Sequence, residues 1–263
     1  MSSEPRRPNV LVLGASSGYG AASALAFARA GYDVIGVHLD RRAGLERVER
    51  LRAALEAEGA AVRLFNRNAA DDARRAEILD ELADLPAGSV RVLLHSLAFG
   101  TLGPLVPGPG ERGLSRRQIE MTLDVMAHSL VYWARDLVER GLMGEGGRIF
   151  GLSSLGSHQA WASYGAVAAA KAALEAYIRQ LALELAPRGI TANAIMAGVC
   201  DTPALARIPN ADEIVAKALG KNPHDRLTRP EDVAACLVEL ARPGTYWMTG
   251  NVIRVDGGED ACA

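Results

Sequence analysis

The chain has 263 residues, 49% of them apolar and 23% charged, with a formal net charge of −2. That size and balance suit one α/β domain over 1–263 and offer no basic field to draw in nucleic acid or an anionic membrane. No apolar run approaches the roughly 18 residues of a membrane span, the head Met1–Pro8 lacks a signal-peptide core, and the scattered Cys200, Cys236 and Cys262 predict free thiols in a reducing cytoplasm, without disulfides or a metal site.

Val10–Leu13 is a short apolar run of the kind that forms a buried parallel strand. It leads into Gly14-Ala15-Ser16-Ser17-Gly18-Tyr19-Gly20 and then a helical pattern from Ala21 to Ala30. A glycine turn between strand and helix is a phosphate cradle, because free N–H groups and the positive helix end meet the anion at close range. Gly14, Ser16, Ser17, Gly18, Tyr19 and Gly20 are therefore predicted to hold a dinucleotide. The spacing G-x-x-x-G-x-G differs from the G-x-G-x-x-G fingerprint, and a tight turn without a ligand is the competing reading.

Strand and helix patterns then alternate. Strand 34–37 precedes a charged amphipathic helix, 43–57; strand 61–65 precedes helix 71–85; strand 91–94 ends in His95-Ser96. A Gly/Pro-rich loop, 100–113, leads to a long helix, 115–140, then strand 148–152 and helix 162–186, stopped by Pro187 and Gly189. Strand 190–195, an irregular stretch, helix 230–241 and strand 251–255 complete the chain. Repeated β-α units predict a Rossmann-like, doubly wound parallel sheet with helices on both faces. Such sheets bind ligands beyond the carboxyl ends of their strands, where Gly14, His38, Asn68, Ser96, Ser154 and Gly198 all fall.

Tyr164 and Lys171 stand seven positions apart on one predicted helix. Seven steps return to within about 20° of the same face, displaced by about 10.5 Å. A phenol and an ammonium two turns apart on one face can hold different parts of one elongated ligand. An Ala-rich helix carrying the two by chance is the alternative.

The glycine loop, Ser153-Ser154, Lys171, Asn193-Ala194 and Asp256-Gly257-Gly258 together resemble the short-chain dehydrogenase/reductase family, in order and over nearly the whole chain. Ketone-reducing members carry Tyr four residues before the Lys and an Asn in the long central helix; here those positions are Val167 and Met126. Tyr-x6-Lys and His95-Ser96-Leu97-Ala98-Phe99 are instead similar to the enoyl-thioester reductases, and Ser153–Ser157 with Asp201-Thr202-Pro203-Ala204-Leu205 resemble the enoyl-acyl-carrier-protein reductase III type.

The resemblance implies reduction of the 2,3 double bond of an enoyl thioester carried on acyl carrier protein or coenzyme A. Hydride goes to the β-carbon, and charge collects on the thioester oxygen as an enolate. That oxygen needs a hydrogen-bond donor, as in an oxyanion hole. Tyr164 is predicted to be the donor and Lys171 to hold the cofactor ribose and add positive charge. Ser154 either bonds substrate or shapes the strand-to-loop turn. Ketone or alcohol oxidoreduction, or a non-catalytic dinucleotide sensor, remain as alternatives.

The residue that meets the adenosine ribose should fall near His38, which is not acidic, while Asp40 follows two positions later with Arg41 and Arg42. Arginines suit a 2′-phosphate and an acid suits the free diol, so NADPH is expected, with NADH the alternative. Asn68 and Ala69 are expected near the adenine, and Ser96, Gly198, Val199 and Thr202 along the rest of the cofactor. His95 could approach the nicotinamide, although a backbone role at its strand end is the stronger reading. Cys200 reads as an apolar filler. Segment 202–226 lies where the family keeps a substrate lid; its apolar residues suit an acyl chain and Arg207 and Lys217 suit phosphates. The two long helices carry Leu130, Tyr132, Trp133, Leu174, Ile178 and Leu181 and pair between subunits in this family, which implies a homotetramer.

Overall fold

The computed structural model describes residues 7–202, 205–208 and 211–262. Seven strands pair in parallel in the order β3-β2-β1-β4-β5-β6-β7. They are β1 (Asn9–Leu13), β2 (Asp33–His38), β3 (Val62–Asn66), β4 (Val90–His95), β5 (Arg148–Ser154), β6 (Thr191–Ala197) and β7 (Val252–Val255). The helices are α1 (Gly18–Arg29), α2 (Arg42–Ala57), α3 (Asp72–Glu81), α4 (Arg116–Leu123), α5 (Ser129–Glu139), α6 (Gly165–Leu185), α7 (Ala211–Lys221) and α8 (Pro230–Leu240).

The central strands are mostly apolar and buried because both of their faces are covered. Val10, Val12, Leu94, Phe150 and Ile195 pack with Phe27 of α1, Leu55 of α2 and Leu237 of α8. Leu11, Leu13, Leu93 and Ile149 face the other way, onto Ile78 of α3, Trp133 of α5 and Leu174 of α6. This is the doubly wound sheet that the alternating pattern predicts.

Three local readings change. The third helix ends at Glu81, not near Leu85, with Leu82 as its cap. The long central helix is interrupted by a π turn, Asp124–His128, between α4 and α5; there Ser129 Oγ donates back to Val125 O at 2.8 Å. The stretch read as irregular contains α7.

The apolar side chains expected to make an intersubunit surface mostly face inward. Leu130, Trp133, Leu174 and Ile178 have no exposure at all. They cover the sheet of their own chain, so they supply no argument for assembly. The exposed large apolar residues are others, among them Leu183, Tyr246 and Trp247.

Strand order reverses between β1 and β4, and a crevice opens there at the carboxyl ends of the strands. Its walls are tight. Ser96 N donates to Leu13 O at 2.8 Å, and Gly14 N to Val37 O at 2.8 Å. Gly14 has φ +89°, and a Cβ on it would lie 2.5 Å from Ser96 O. A Cβ on Gly20 would collide with the carbonyl of Gly14. Both positions need glycine so that α1 can start directly against the end of β1.

Candidate active site

The glycine loop makes an anion-binding concavity of the expected kind. Ser17 is the N-cap of α1, its hydroxyl makes no capping bond, and the first turn carries no acid. Unpaired N–H groups therefore face the crevice without a competing carboxylate, and a pyrophosphate fits. Gly18, with φ +52°, lies across from Thr202, whose Cγ2 would be 3.4 Å from an added Cβ. Tyr19 points elsewhere: its hydroxyl donates to Gly198 O at 2.9 Å, tying the loop to the segment after β6. Burial pushes that phenol up, with the neighbouring Cys200 adding to the effect, so it stays protonated.

At the end of β2 the structure corrects the reading of His38. Its ring is buried, and Nδ1 lies 3.0 Å from Asp40 Oδ2. The acid absent from the strand end thus folds back to the loop from two residues on. Burial opposes the charge of Asp40, but hydrogen bonds from Ser16 and His38 and the charge of Arg47 hold its carboxyl below the usual range. Arg47 Nη2 lies 2.8 Å from Asp40 Oδ1, and Arg47 Nε donates to Ser16 O at 2.9 Å. The sequence places Asp40 two positions after His38, but nothing in it links that acid to Arg47, seven positions further on. Arg41 caps α2 and Arg42 opens it, both exposed.

At the end of β3, Asn68 Oδ1 accepts from Ala70 N at 3.0 Å and shapes the turn, while Ala69 O accepts from Trp133 Nε1 at 2.8 Å. Ala69 is buried and serves the core. The backbone after β6 is also committed. Val199 N donates to Glu259 Oε2 at 2.9 Å, and Thr228 N donates to Val199 O at 3.1 Å. Glu259 is buried, and burial raises its carboxyl despite the Val199 N–H. Gly198 and Val199 thus have little free backbone to offer a ligand; what Val199 presents to the cavity is its side chain. Thr202 Oγ1 caps Leu205 N at 3.3 Å. The terminal motif is structural too, since the Asp256 carboxylate accepts from Gly258 N and Asp260 N, each at 3.0 Å.

The other side of the crevice is built on α6. Tyr164 is its N-cap and Lys171 lies two turns in, 5% exposed. Lys171 Nζ donates to Leu152 O at 2.6 Å. Burial pushes its ammonium down to about 8, against the pull of Glu175 one turn further on. Glu175 in turn accepts a short hydrogen bond from Ser153 Oγ. Glu175 escaped the sequence reading, although its i+4 spacing from Lys171 marks it. Burial raises the Tyr164 phenol, with Ser154 pulling the other way. Ser154 Oγ is itself buried, with no hydrogen-bond partner among the described residues. Gly156 packs under the Tyr164 ring, where any side chain would strike it.

The two departures from the ketone-reducing pattern meet in space. A Cβ on Gly100 would lie 2.9 Å from Val167 Cγ2 and 3.0 Å from Met126 Sδ. Val167 and Met126 are both buried there in one apolar contact. The position four residues before Lys171 is therefore filled by core, and Tyr164 is the phenol of α6 that reaches the cavity.

That cavity encloses about 160 Å³. Tyr19, Ser154, Tyr164 and Thr202 are among its lining residues; Leu155, Trp161, Cys200, Leu205, Ile208 and Ile214 make apolar walls. Burial raises the Cys200 thiol to about 11, so it lines the wall as a neutral group. Lys217 of α7 sits 5.8 Å from the centre of the Trp161 ring, at the rim. Within 202–226, Pro203, Ala204, Pro209, Asn210 and the side chain of Arg207 lie outside the described residues.

Residues 14–259 match the family profile described as enoyl-(acyl carrier protein) reductase. An uncharacterized oxidoreductase of Mycobacterium tuberculosis is 32% identical over 94% of this chain and 90% of its own. The 1-cyclohexenylcarbonyl-CoA reductase of Streptomyces collinus is 28% identical over 96% of this chain and 87% of its own. A short-chain dehydrogenase of Burkholderia cenocepacia, solved with NADP, superposes with a TM-score of 0.82 at 27% identity, covering 97% and 98% of the two chains. The NADH-dependent enoyl-acyl-carrier-protein reductase of Aquifex aeolicus has the same fold, with a TM-score of 0.83 at 24% identity over 96% of each chain. No helix among the described residues is long and apolar enough to cross a membrane. With its glycine loop, its Tyr164–Lys171 helix and a profile match across nearly its whole length, this chain is an oxidoreductase that belongs to the short-chain dehydrogenase/reductase family.

Proposed function

We propose that the protein reduces the 2,3 double bond of an enoyl thioester, on coenzyme A or an acyl carrier protein, using NADPH. The observation that carries this reading is the pairing of Tyr164, open to the cavity, with a closed apolar contact of Val167 and Met126 where ketone reducers keep polar groups. Reduced nicotinamide, when bound, would supply hydride to the β-carbon, and a proton delivered from solvent to the α-carbon would complete the reduction. Tyr164, kept protonated by burial, donates to the thioester oxygen as negative charge gathers there. The buried Ser154 hydroxyl, beside the Tyr164 phenol and pulling against its rise, would help to position that donor. Lys171 holds the ribose and adds positive charge. The apolar walls take the acyl group and exclude water. A lid role for 202–226 is supported by Leu205, Ile208 and Ile214 on the cavity, and Lys217 at the rim suits a phosphate of the thioester carrier. Assembly as a homotetramer belongs to this reading through the family alone.

Support for NADPH comes from the charges around β2. Asp40 is already paired with Arg47, whereas Arg41 and Arg42 make no hydrogen bond or ion pair through their side chains among the described residues and stand at the start of α2. A 2′-phosphate would meet two uncommitted guanidinium groups and a helix N-terminus. Replacing both by Ala is expected to raise KM for NADPH by about tenfold or more, as for loss of about 1.4 kcal/mol, with little change for NADH. A wild-type preference for NADH would overturn the cofactor assignment.

The reaction itself is tested by cofactor oxidation against paired 2-enoyl-CoA and 3-ketoacyl-CoA substrates of medium chain length. Turnover of the enoyl partner alone is expected. Turnover of the keto partner alone would refute the reading.

A further inference from the structure

His95 ends β4 with its side chain fully buried. It does not open into the cleft. Its ring lies on the same side of the sheet as Leu93, against α5, where Nε2 is 2.8 Å from Ser129 Oγ. The hydrogen of Ser129 is already committed to Val125 O at 2.8 Å. Nε2 must therefore carry the ring proton and donate, which leaves Nδ1 a bare acceptor. Nδ1 is buried and has no partner among the described residues. An orphaned acceptor at full burial is costly, and such groups persist where something completes them.

A candidate donor sits across the neighbouring strand. His95 pairs in register with Gly151 of β5, and Lys171 Nζ bonds the carbonyl of the next residue, Leu152. Lys171 has three N–H donors and places one of them there. Burial pushes His95 down to about 3, and the charge that reaches it, also lowering it, is that of Lys171. The ring therefore stays neutral within reach of the Lys171 charge. The ring is held from the π turn, where Val125 O anchors the Ser129 hydroxyl that meets it.

We infer that His95 is a positioning residue for Lys171, its neutral Nδ1 accepting a hydrogen bond from the ammonium, directly or through one bound water. A neutral acceptor fixes the direction of the Nζ without cancelling its charge, as a carboxylate in the same place would. The ammonium is then aimed at the crevice before any ligand arrives. The inference rests on Lys171 being the cation of the site.

Histidine nitrogen NMR on the unliganded full chain tests it. The His95 signals are assigned by their loss in His95→Gln. Between pH 6 and 8 they should show the Nε2–H form, with Nδ1 shifted upfield by an accepted hydrogen bond. Lys171→Met should return Nδ1 to the position of a free acceptor. An Nδ1 that is indifferent to Lys171→Met overturns the inference, whatever the substrate proves to be. In turnover, His95→Leu should lower kcat about tenfold, the effect of about 1.4 kcal/mol, with KM for the thioester nearly unchanged. His95→Gln, which keeps an acceptor, should recover most of it. A folded His95→Leu with wild-type kcat also overturns the inference. Absence of enoyl turnover in the wild type, with the Nδ1 shift and its loss in Lys171→Met intact, would sink the proposed reaction and leave this contact standing.

Discussion

Tyr164→Phe is expected to lower kcat for enoyl-thioester reduction about 100- to 1,000-fold, the usual effect of deleting one preorganised donor to an oxyanion. The substitution is clean because the ring is held by packing on Gly156. Burial keeps the phenol protonated, so it acts as a donor and not as a phenolate. Affinity for NADPH, measured by fluorescence titration, should stay within about twofold, since a tenfold change would need about 1.4 kcal/mol. A variant that keeps kcat within threefold, by about the same arithmetic less than 1 kcal/mol of barrier, would remove Tyr164 from the mechanism.

Lys171→Met separates activity from stability in opposite directions. The ammonium is buried and pushed to about 8, well below the 10.5 of an exposed lysine, because the fold must desolvate it. At neutral pH the folded state therefore bears a cost that the unfolded state does not. That cost is relieved as pH rises from about 8 towards 10.5, where the folded state loses its proton before the unfolded one. Methionine fills the same volume without the charge. The variant should melt no lower than the wild type at pH 7 and lose the alkaline gain in stability. Its kcat should nevertheless fall about 100-fold, with weaker cofactor binding, as befits loss of about 3 kcal/mol of electrostatic help.

The same group sets the expected pH profile. His95, pushed to about 3, is already neutral, and Tyr164 is raised above the range of ordinary phenols. Between pH 6 and 9 the titration that matters is that of Lys171, protonated below about 8 and neutral above. Rates of kcat/KM measured across this range should fall on the alkaline side. A flat profile, or a Lys171→Met enzyme with wild-type kcat, would show that the ammonium has no part in the reaction.

The architecture was readable in the chain because its evidence is local. Strands buried on both faces tend to be apolar runs, as Val10–Leu13 and Val92–Leu94 are, and a helix starting at a phosphate cradle needs its glycines within a few residues of the strand end. The Tyr164–Lys171 pair was readable for the same reason, since helical periodicity alone puts both on one face. Periodicity did not carry as far as the surface helices, where Leu130 and Ile178 satisfy their own sheet and reveal nothing about a partner.

What separates this site from a generic dinucleotide fold lies in pairings between residues distant in the chain. Asp40 meets Ser16 and Arg47; Val199 gives its amide to Glu259; Val167 and Met126 close on Gly100; His95 bonds Ser129. None of these has a spacing that a linear pattern can mark, because each depends on where two chain segments are brought by the sheet order. Residue types and local periodicity decided the fold and the identity of the phenol and the ammonium. Tertiary packing decided which partners the acid after β2 meets, which amides are already spent and which nitrogen of a buried imidazole is left bare, because satisfying a buried polar group depends on distance in space and not on separation along the chain.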